Sequence, residues 1–146
     1  MRPVTAAILA IALCAQGALA ADLERNKRNV LDFYEKGLNQ KDFAAASKHF
    51  GATYIQHNPI AADGPEGFKA FVEFLRAKFP QSRSEIKRVF AEGDYVVLHV
   101  HAVREPGTRG AAIVDIFRLD PAGRIVEHWD VRQDVPEKAA NGNGMF

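Results

Sequence analysis

Between His99 and Asp130 the chain reads HVHAVREPGTRGAAIVDIFRLDPAGRIVEHWD, which sets His99, His101, Asp115, His128 and Trp129 among β-branched and aromatic residues. Ionisable groups on apolar strands are costly to bury, so those that stay there are well paired or functional. Alternation puts His99 and His101 on one face with Tyr95, Val97 and Val103. If the strands pair with His101 opposite Asp115, the hairpin closes over residues 106–110, an ordinary length. Asp115 shares its own face with Ile113 and Phe117. On the next strand Ile125, Trp129 and Val131 form an apolar face, and His128, Asp130 and Arg132 a polar one. Trp129 is therefore expected inward beside Asp115, with His128 turned away. A slip of one residue would exchange the two.

A carboxylate held among Ile113, Phe117 and Trp129 is poorly solvated, which favours its holding a proton. Such a group can take a proton from a carbon acid and return it elsewhere. An imidazole at His101 would hydrogen-bond it or polarise a substrate carbonyl, making Asp115 and His101 an acid/base pair. The same pair reads equally as a structural hydrogen bond that holds two strands in register. His57-Asn58-Pro59 lies in a loop, and Tyr34 and Phe33 lie on the inner face of the first helix, where packing comes first and pocket lining second. A competing constellation, Gly93 followed by His99-x-His101-x3-Glu105, resembles the first metal-binding motif of cupins. Glu105, however, precedes Pro106-Gly107 at a hairpin tip, and too few strands remain for a cupin. The expectation is no metal and no cofactor. Nucleophile elbow, phosphate loop, H-E-x-x-H and CxxC motifs are absent from the sequence.

Helices must position these strands. Leu23, Val30, Phe33, Tyr34 and Leu38 keep helical spacing over residues 22–40, and a shorter helix is expected from an Asp42 cap to Phe50. Asp63-Gly64-Pro65-Glu66 reads as a capping box with proline in the first turn. Phe68, Phe71, Val72, Leu75 and Phe79 then line one helical face until Pro80. Beyond it the period becomes two, with strands expected at Ser84–Phe90, Tyr95–Arg104, Ala111–Leu119 and Arg124–Gln133. Helices followed by an antiparallel meander give an α+β fold, one curved sheet with helices on a face. The strands are apolar on both sides and the helices cover one, so an antiparallel homodimer through the other is expected.

The whole chain limits the partners. Its 146 residues carry 19 Lys+Arg against 18 Asp+Glu, interspersed, which leaves no electrostatic footprint for nucleic acid or an anionic membrane. Arg2, the apolar run Val4–Leu13 and Ala18-Leu19-Ala20 read as a secretory signal peptide over residues 1–20, cleaved after Ala20. Periplasmic or secreted localisation follows from that reading. Residues 21–146 then form one domain without cysteine, which must stand on its hydrophobic core.

Taken in order, YIQHNP, DGPEGF, GDYVVLHVH, VDIFRL, GRIVEHWDV and the terminal NGNGMF resemble the SnoaL-like family, within the nuclear-transport-factor-2-like superfamily. The resemblance spans essentially all of residues 21–146. It implies a cone-shaped curved sheet wrapped by three helices around a deep apolar pocket, commonly in a dimer. In the polyketide cyclase members an aspartate on a central strand serves as acid/base for an intramolecular aldol closure, helped by a histidine on the preceding strand. Those roles fall on Asp115 and His101, while His57, Tyr34, His99 and Trp129 would border the pocket. The implied ligand is a small apolar carbonyl compound. The superfamily also holds isomerases, dehydratases, epoxide hydrolases and non-catalytic binders, so a binding module of the same fold is the alternative.

Overall fold

The computed structural model describes residues 22–146; the expected leader over 1–20 lies outside the described residues. Helix α1 covers residues 22–34 and runs on into a π-helical turn, Glu35–Asn39. Helix α2 (Phe43–Ala46) is capped by the Asp42 carboxylate, which accepts from the Ala45 N–H at 2.9 Å, and continues as a 3-10 turn. Strand β1 (Phe50–Gln56) leads to helix α3 (Gly64–Lys78), followed by β2 (Arg83–Glu92), β3 (Tyr95–Val103), β4 (Ala111–Leu119) and β5 (Ile125–Asp134). The sheet order is β1-β5-β4-β3-β2, antiparallel except for the parallel β1–β5 pair.

The meander and its helical cover match the sequence pattern, with one local difference. Asp63 stands at the N-cap of α3 but makes no side-chain capping bond to it. Its carboxylate instead accepts the Gln56 backbone N–H at 2.7 Å, tying the start of α3 to the end of β1.

Two register features decide which side chains face the helices. First, β3 and β4 pair with Leu98 opposite Asp115 and His101 opposite Ala112. That is an offset of three residues from the expected pairing, and an odd offset reverses the face. The hairpin is longer than expected because pairing stops at Ala102–Ala111. Gly110 sits there at φ +70°, where a Cβ would meet the Ala102 carbonyl oxygen at 2.3 Å. Only glycine lets the chain re-enter the sheet at that point. Second, β5 carries a bulge: Leu119 pairs with Ile125, yet Arg118 pairs with Glu127, so Val126 is the extra residue. One inserted residue switches the parity of all that follows. His128 and Asp130 therefore face inward and Trp129 outward, the reverse of simple alternation.

Under the helices the sheet is filled with aromatic rings. Phe33 of α1 meets Phe68 at 4.8 Å, Phe50 at 5.2 Å and Phe117 at 5.9 Å between centroids. Each buried ring removes large apolar area from water, and the edge-to-face contacts add to that. Under the helices, beside Tyr34, lies a cavity of about 20 Å³.

Helix α1 is held at both ends. Asn29 donates to the Gly123 carbonyl at 2.7 Å and Arg25 to that of Pro121 at 3.1 Å, in the β4–β5 turn. At the other end Asn39 exchanges two hydrogen bonds with the Ser84 backbone, at 3.0 and 2.8 Å. Strung between these ties, α1 crosses the sheet so that Tyr34 lies over β4.

Candidate active site

The inner face of β4 carries Asp115, which is 5% exposed. Tyr34 of α1 donates its hydroxyl to Asp115 Oδ2 at 3.1 Å. Burial, and after it the Asp115 charge, push the Tyr34 phenol well above its ordinary range, so Tyr34 keeps its proton and acts as a donor. On β5, His128 Nε2 lies 3.0 Å from Asp115 Oδ1. Both side chains are buried, and the pair is possible only because the Val126 bulge turns His128 inward.

The parallel β1–β5 register completes the site by setting Gln56 opposite His128. Gln56 Oε1 accepts the Asn58 backbone N–H at 3.1 Å, and its Nε2 donates to the Tyr54 hydroxyl at 3.1 Å. These two bonds fix the amide orientation. His128 Nδ1, 2.8 Å from Gln56 Oε1, therefore faces an acceptor and must carry a hydrogen. Nε2 is then either the free lone pair of a neutral ring or the second N–H of an imidazolium. A carboxylate and a bare ring nitrogen would repel at 3.0 Å, so one proton lies between Asp115 and His128 in either case.

Asp130, the Cα partner of Asp115 across β4–β5, adds a second carboxylate. It accepts both available bonds from Asn58 Nδ2, at 2.9 and 2.7 Å. Ligand atoms of Asp115, His128 and Asp130 all lie within 4.8 Å of one another, so these three are the described residues that could hold a divalent metal.

Of the residues singled out in the sequence, the structure brings together Asp115 and Tyr34. His128, expected to turn away, joins them, while His99, His101, Trp129 and His57 are separated from Asp115 by the sheet itself. His101, expected as its partner, faces the opposite side, donates Nε2–H to the Arg109 carbonyl at 2.8 Å and packs on Phe146 at 4.3 Å. His99 accepts from Arg88 at 2.9 Å on that same outer face. Trp129, turned out by the bulge, stacks on His57 at 4.5 Å with the rings 3° from parallel. His57 in turn donates to Glu127 at 2.8 Å. Neither His99, His101 nor Glu105 converges on a metal-binding arrangement, which removes the cupin-like alternative.

Gln56, Asn58 and Tyr54 were not among the expected site residues, and His128 and Asp130, expected to face away, face inward instead. Their signal was present as two alternating runs, Tyr54-x-Gln56-x-Asn58 and His128-x-Asp130. Only the parallel pairing of β1 with β5 turns the two runs into one cluster.

A buried carboxylate, the imidazole beside it and a phenol donor thus lie together on the inner face of a helix-covered α+β sheet. The sequence profile of the SnoaL-like domain matches residues 30–128, and the chain belongs to that family. Its fold is nuclear-transport-factor-2-like, as in several solved structures. A candidate polyketide cyclase from Acidithiobacillus ferrooxidans is 22% identical with a TM-score of 0.61, over 74% of this chain and 87% of that one. TsrD from Streptomyces laurentii is 18% identical with a TM-score of 0.62, over 73% and 87%. A SnoaL-like protein of unknown function from Burkholderia thailandensis is 17% identical with a TM-score of 0.61, over 75% and 95%. At these identities the likeness is one of fold. No curated protein matches the sequence.

Proposed function

We propose that this domain moves a proton next to a carbonyl, in an aldol-cyclase or isomerase type of reaction, through the Asp115–His128 pair and without a cofactor. The observation that carries the reading is the contact of two buried groups, His128 Nε2 at 3.0 Å from Asp115 Oδ1, with Tyr34 donating to the carboxylate from the other side. In the aldol form Asp115 takes the proton α to one carbonyl and the enolate attacks a second carbonyl of the same molecule, forming a C–C bond. The new alkoxide then takes up the proton from the pair. In the isomerase form the proton returns to a different carbon. Either way the pair ends as it began.

The proposal includes export of the mature domain, supported by the leader-like residues 1–20. It also includes a dimer through the outer sheet face, where Phe90 is 59% and Val131 67% exposed.

The test is α-deuteration of small ketones in D2O, followed by NMR, in wild type and Asp115→Asn. General acid/base catalysis is worth about 10²–10⁴-fold, so the variant is expected to lose at least a hundredfold. Equal exchange by the two proteins would sink the assignment. Ketone binding with no exchange by wild type would identify a binding module instead. A second reading, a divalent ion held by Asp115, His128 and Asp130, is favoured by their convergence. Stoichiometric metal in the purified protein, lost together with exchange on chelation, would replace the first reading with it.

A further inference from the structure

Tyr34 has two neighbourhoods. Its hydroxyl reaches Asp115, and its ring helps to line the cavity of about 20 Å³, whose polar lining comes from Ser82, Arg83, Ser84 and Arg104. Ser82 is only 8% exposed, and its hydroxyl has no hydrogen-bond partner among the described residues. An unpaired buried hydroxyl bordering a void points to something that occupies the void.

Arg104 is the second anomaly. Its guanidinium lies over the rings of Phe71 at 5.2 Å and Phe79 at 6.0 Å, and no carboxylate pairs with it among the described residues. Of the ionisable groups that act on it, Tyr34 favours its charge and Arg132 opposes it. Arg132 acts on it from β5, and it acts in turn on Lys41, which is 5% exposed and bonded to backbone carbonyls of Asn39 and Ser82. Burial, then Arg132, hold Arg104 below its ordinary range without discharging it. Ring contacts recover part of the lost hydration, but a half-buried guanidinium with no carboxylate partner among the described residues has room for an anion.

We propose that this cavity is a subsite for a carboxylate, bound by Arg104 with Ser82 as an added donor, and that the substrate is therefore a carboxylate-bearing carbonyl compound. The planar guanidinium matches a carboxylate in two parallel bonds. The void suits one or two oxygen-sized groups and is tight for a tetrahedral phosphate. Tyr34 forms the wall shared with Asp115, so the acid carbon lies a few bonds from the carboxylate. The substrate class rests on the acid/base reading of Asp115 and His128; the anion subsite itself does not.

Levulinate and its neutral methyl ester, with inorganic phosphate as a third probe, test this on the whole protein by calorimetric titration. Levulinate should bind at least tenfold more tightly than the ester. Arg104→Gln should erase that preference, Arg104→Lys should keep part of it, and Ser82→Ala should weaken levulinate a few-fold. Asp115→Asn should keep levulinate binding while losing α-deuteration. Equal binding of acid and ester, no binding of either, or a preference untouched by Arg104→Gln would overturn the subsite. Phosphate bound in place of levulinate would overturn the carboxylate assignment. Levulinate preference with exchange unchanged in Asp115→Asn would overturn the acid/base reading and leave the subsite standing. Should Arg104→Gln fail to fold, Arg104→Lys and Ser82→Ala still decide the matter.

Discussion

The two faces of strands β3–β5 carry similar residues and do different things with them. On the inner face Asp115, His128, Tyr34 and Gln56 bond side chain to side chain, and each polar atom has a defined partner. On the outer face His101 and His99 bond to a carbonyl and an exposed arginine, and His57 pairs with Glu127 in contact with solvent. Composition does not distinguish the faces; water does. Where water is excluded, a proton must be located somewhere specific, and its position becomes a chemical property of the site. Where water remains, the same side chains settle into weak, replaceable contacts.

The sharpest way to break this contrast is to exchange the histidines' fates. His128→Asn is expected to lower ketone α-deuteration by roughly a hundredfold or more, and His101→Asn to leave it within about twofold, since surface changes are usually near neutral. A loss in His101→Asn equal to that in His128→Asn, read by the same NMR assay, would mean that the outer face takes part.

The aromatic cover gives the next largest difference. Phe33 is 2% exposed and touches three other rings, so Phe33→Ala should cost about 3–5 kcal/mol in urea unfolding. Phe90, on the outer face and 59% exposed in the single chain, should cost within about 0.5 kcal/mol on the same change in dilute monomer, and more where the proposed dimer forms. A large loss at Phe90 would show that the outer face is covered in solution, by a second copy for instance.

How far these faces were legible follows from where parity can be counted. Within one uninterrupted strand it can: Ile113, Asp115 and Phe117 share a face in the sequence and in the structure, and β4 spans the residues expected. Between strands it depends on a turn. The hairpin closes at Ala102–Ala111 because Gly110 crosses close to a carbonyl, a contact that no periodicity announces. The bulge at Val126 is equally silent, because Ile125-Val126 reads as an apolar pair with nothing to mark the extra residue. Those two local events moved His101 and Trp129 away from Asp115 and brought His128 to it. The parallel docking of β1 was a third, and it hid Gln56. Tyr34 was accessible to the pattern because a single helical face fixed it.

Gln56 offers a smaller and more specific test of the inner face. Gln56→Leu leaves the His128 Nδ1–H buried without an acceptor, at a cost of about 1–3 kcal/mol. The wild-type ring should show a protonated Nδ1 in ¹⁵N-detected imidazole spectra, and the variant should lose that fixed pattern. Gln56→Glu keeps an acceptor and should restore it. A wild-type His128 bare at Nδ1 would contradict the shared-proton geometry itself.

The smallest effect belongs to the outer face and concerns acid. Glu127 receives the His57 Nε2–H at 2.8 Å and the Arg118 Nε–H at 2.6 Å. The hydrogen bond from His57, with those and the charge of Arg118, holds its carboxyl below the usual range. A carboxylate whose folded pKa is depressed contributes stability above its unfolded pKa, about 4.3, and loses it as pH falls through the folded value. Wild type should therefore lose this increment only below about pH 4.3, and Glu127→Gln should lack that part of the acid slope. The network faces water, so the increment is of the order of 0.2–1 kcal/mol and should shrink in high salt. An increment in Tm-against-pH curves that survives high salt undiminished would show that the outer face is as dry as the inner one, and the contrast between them would fall.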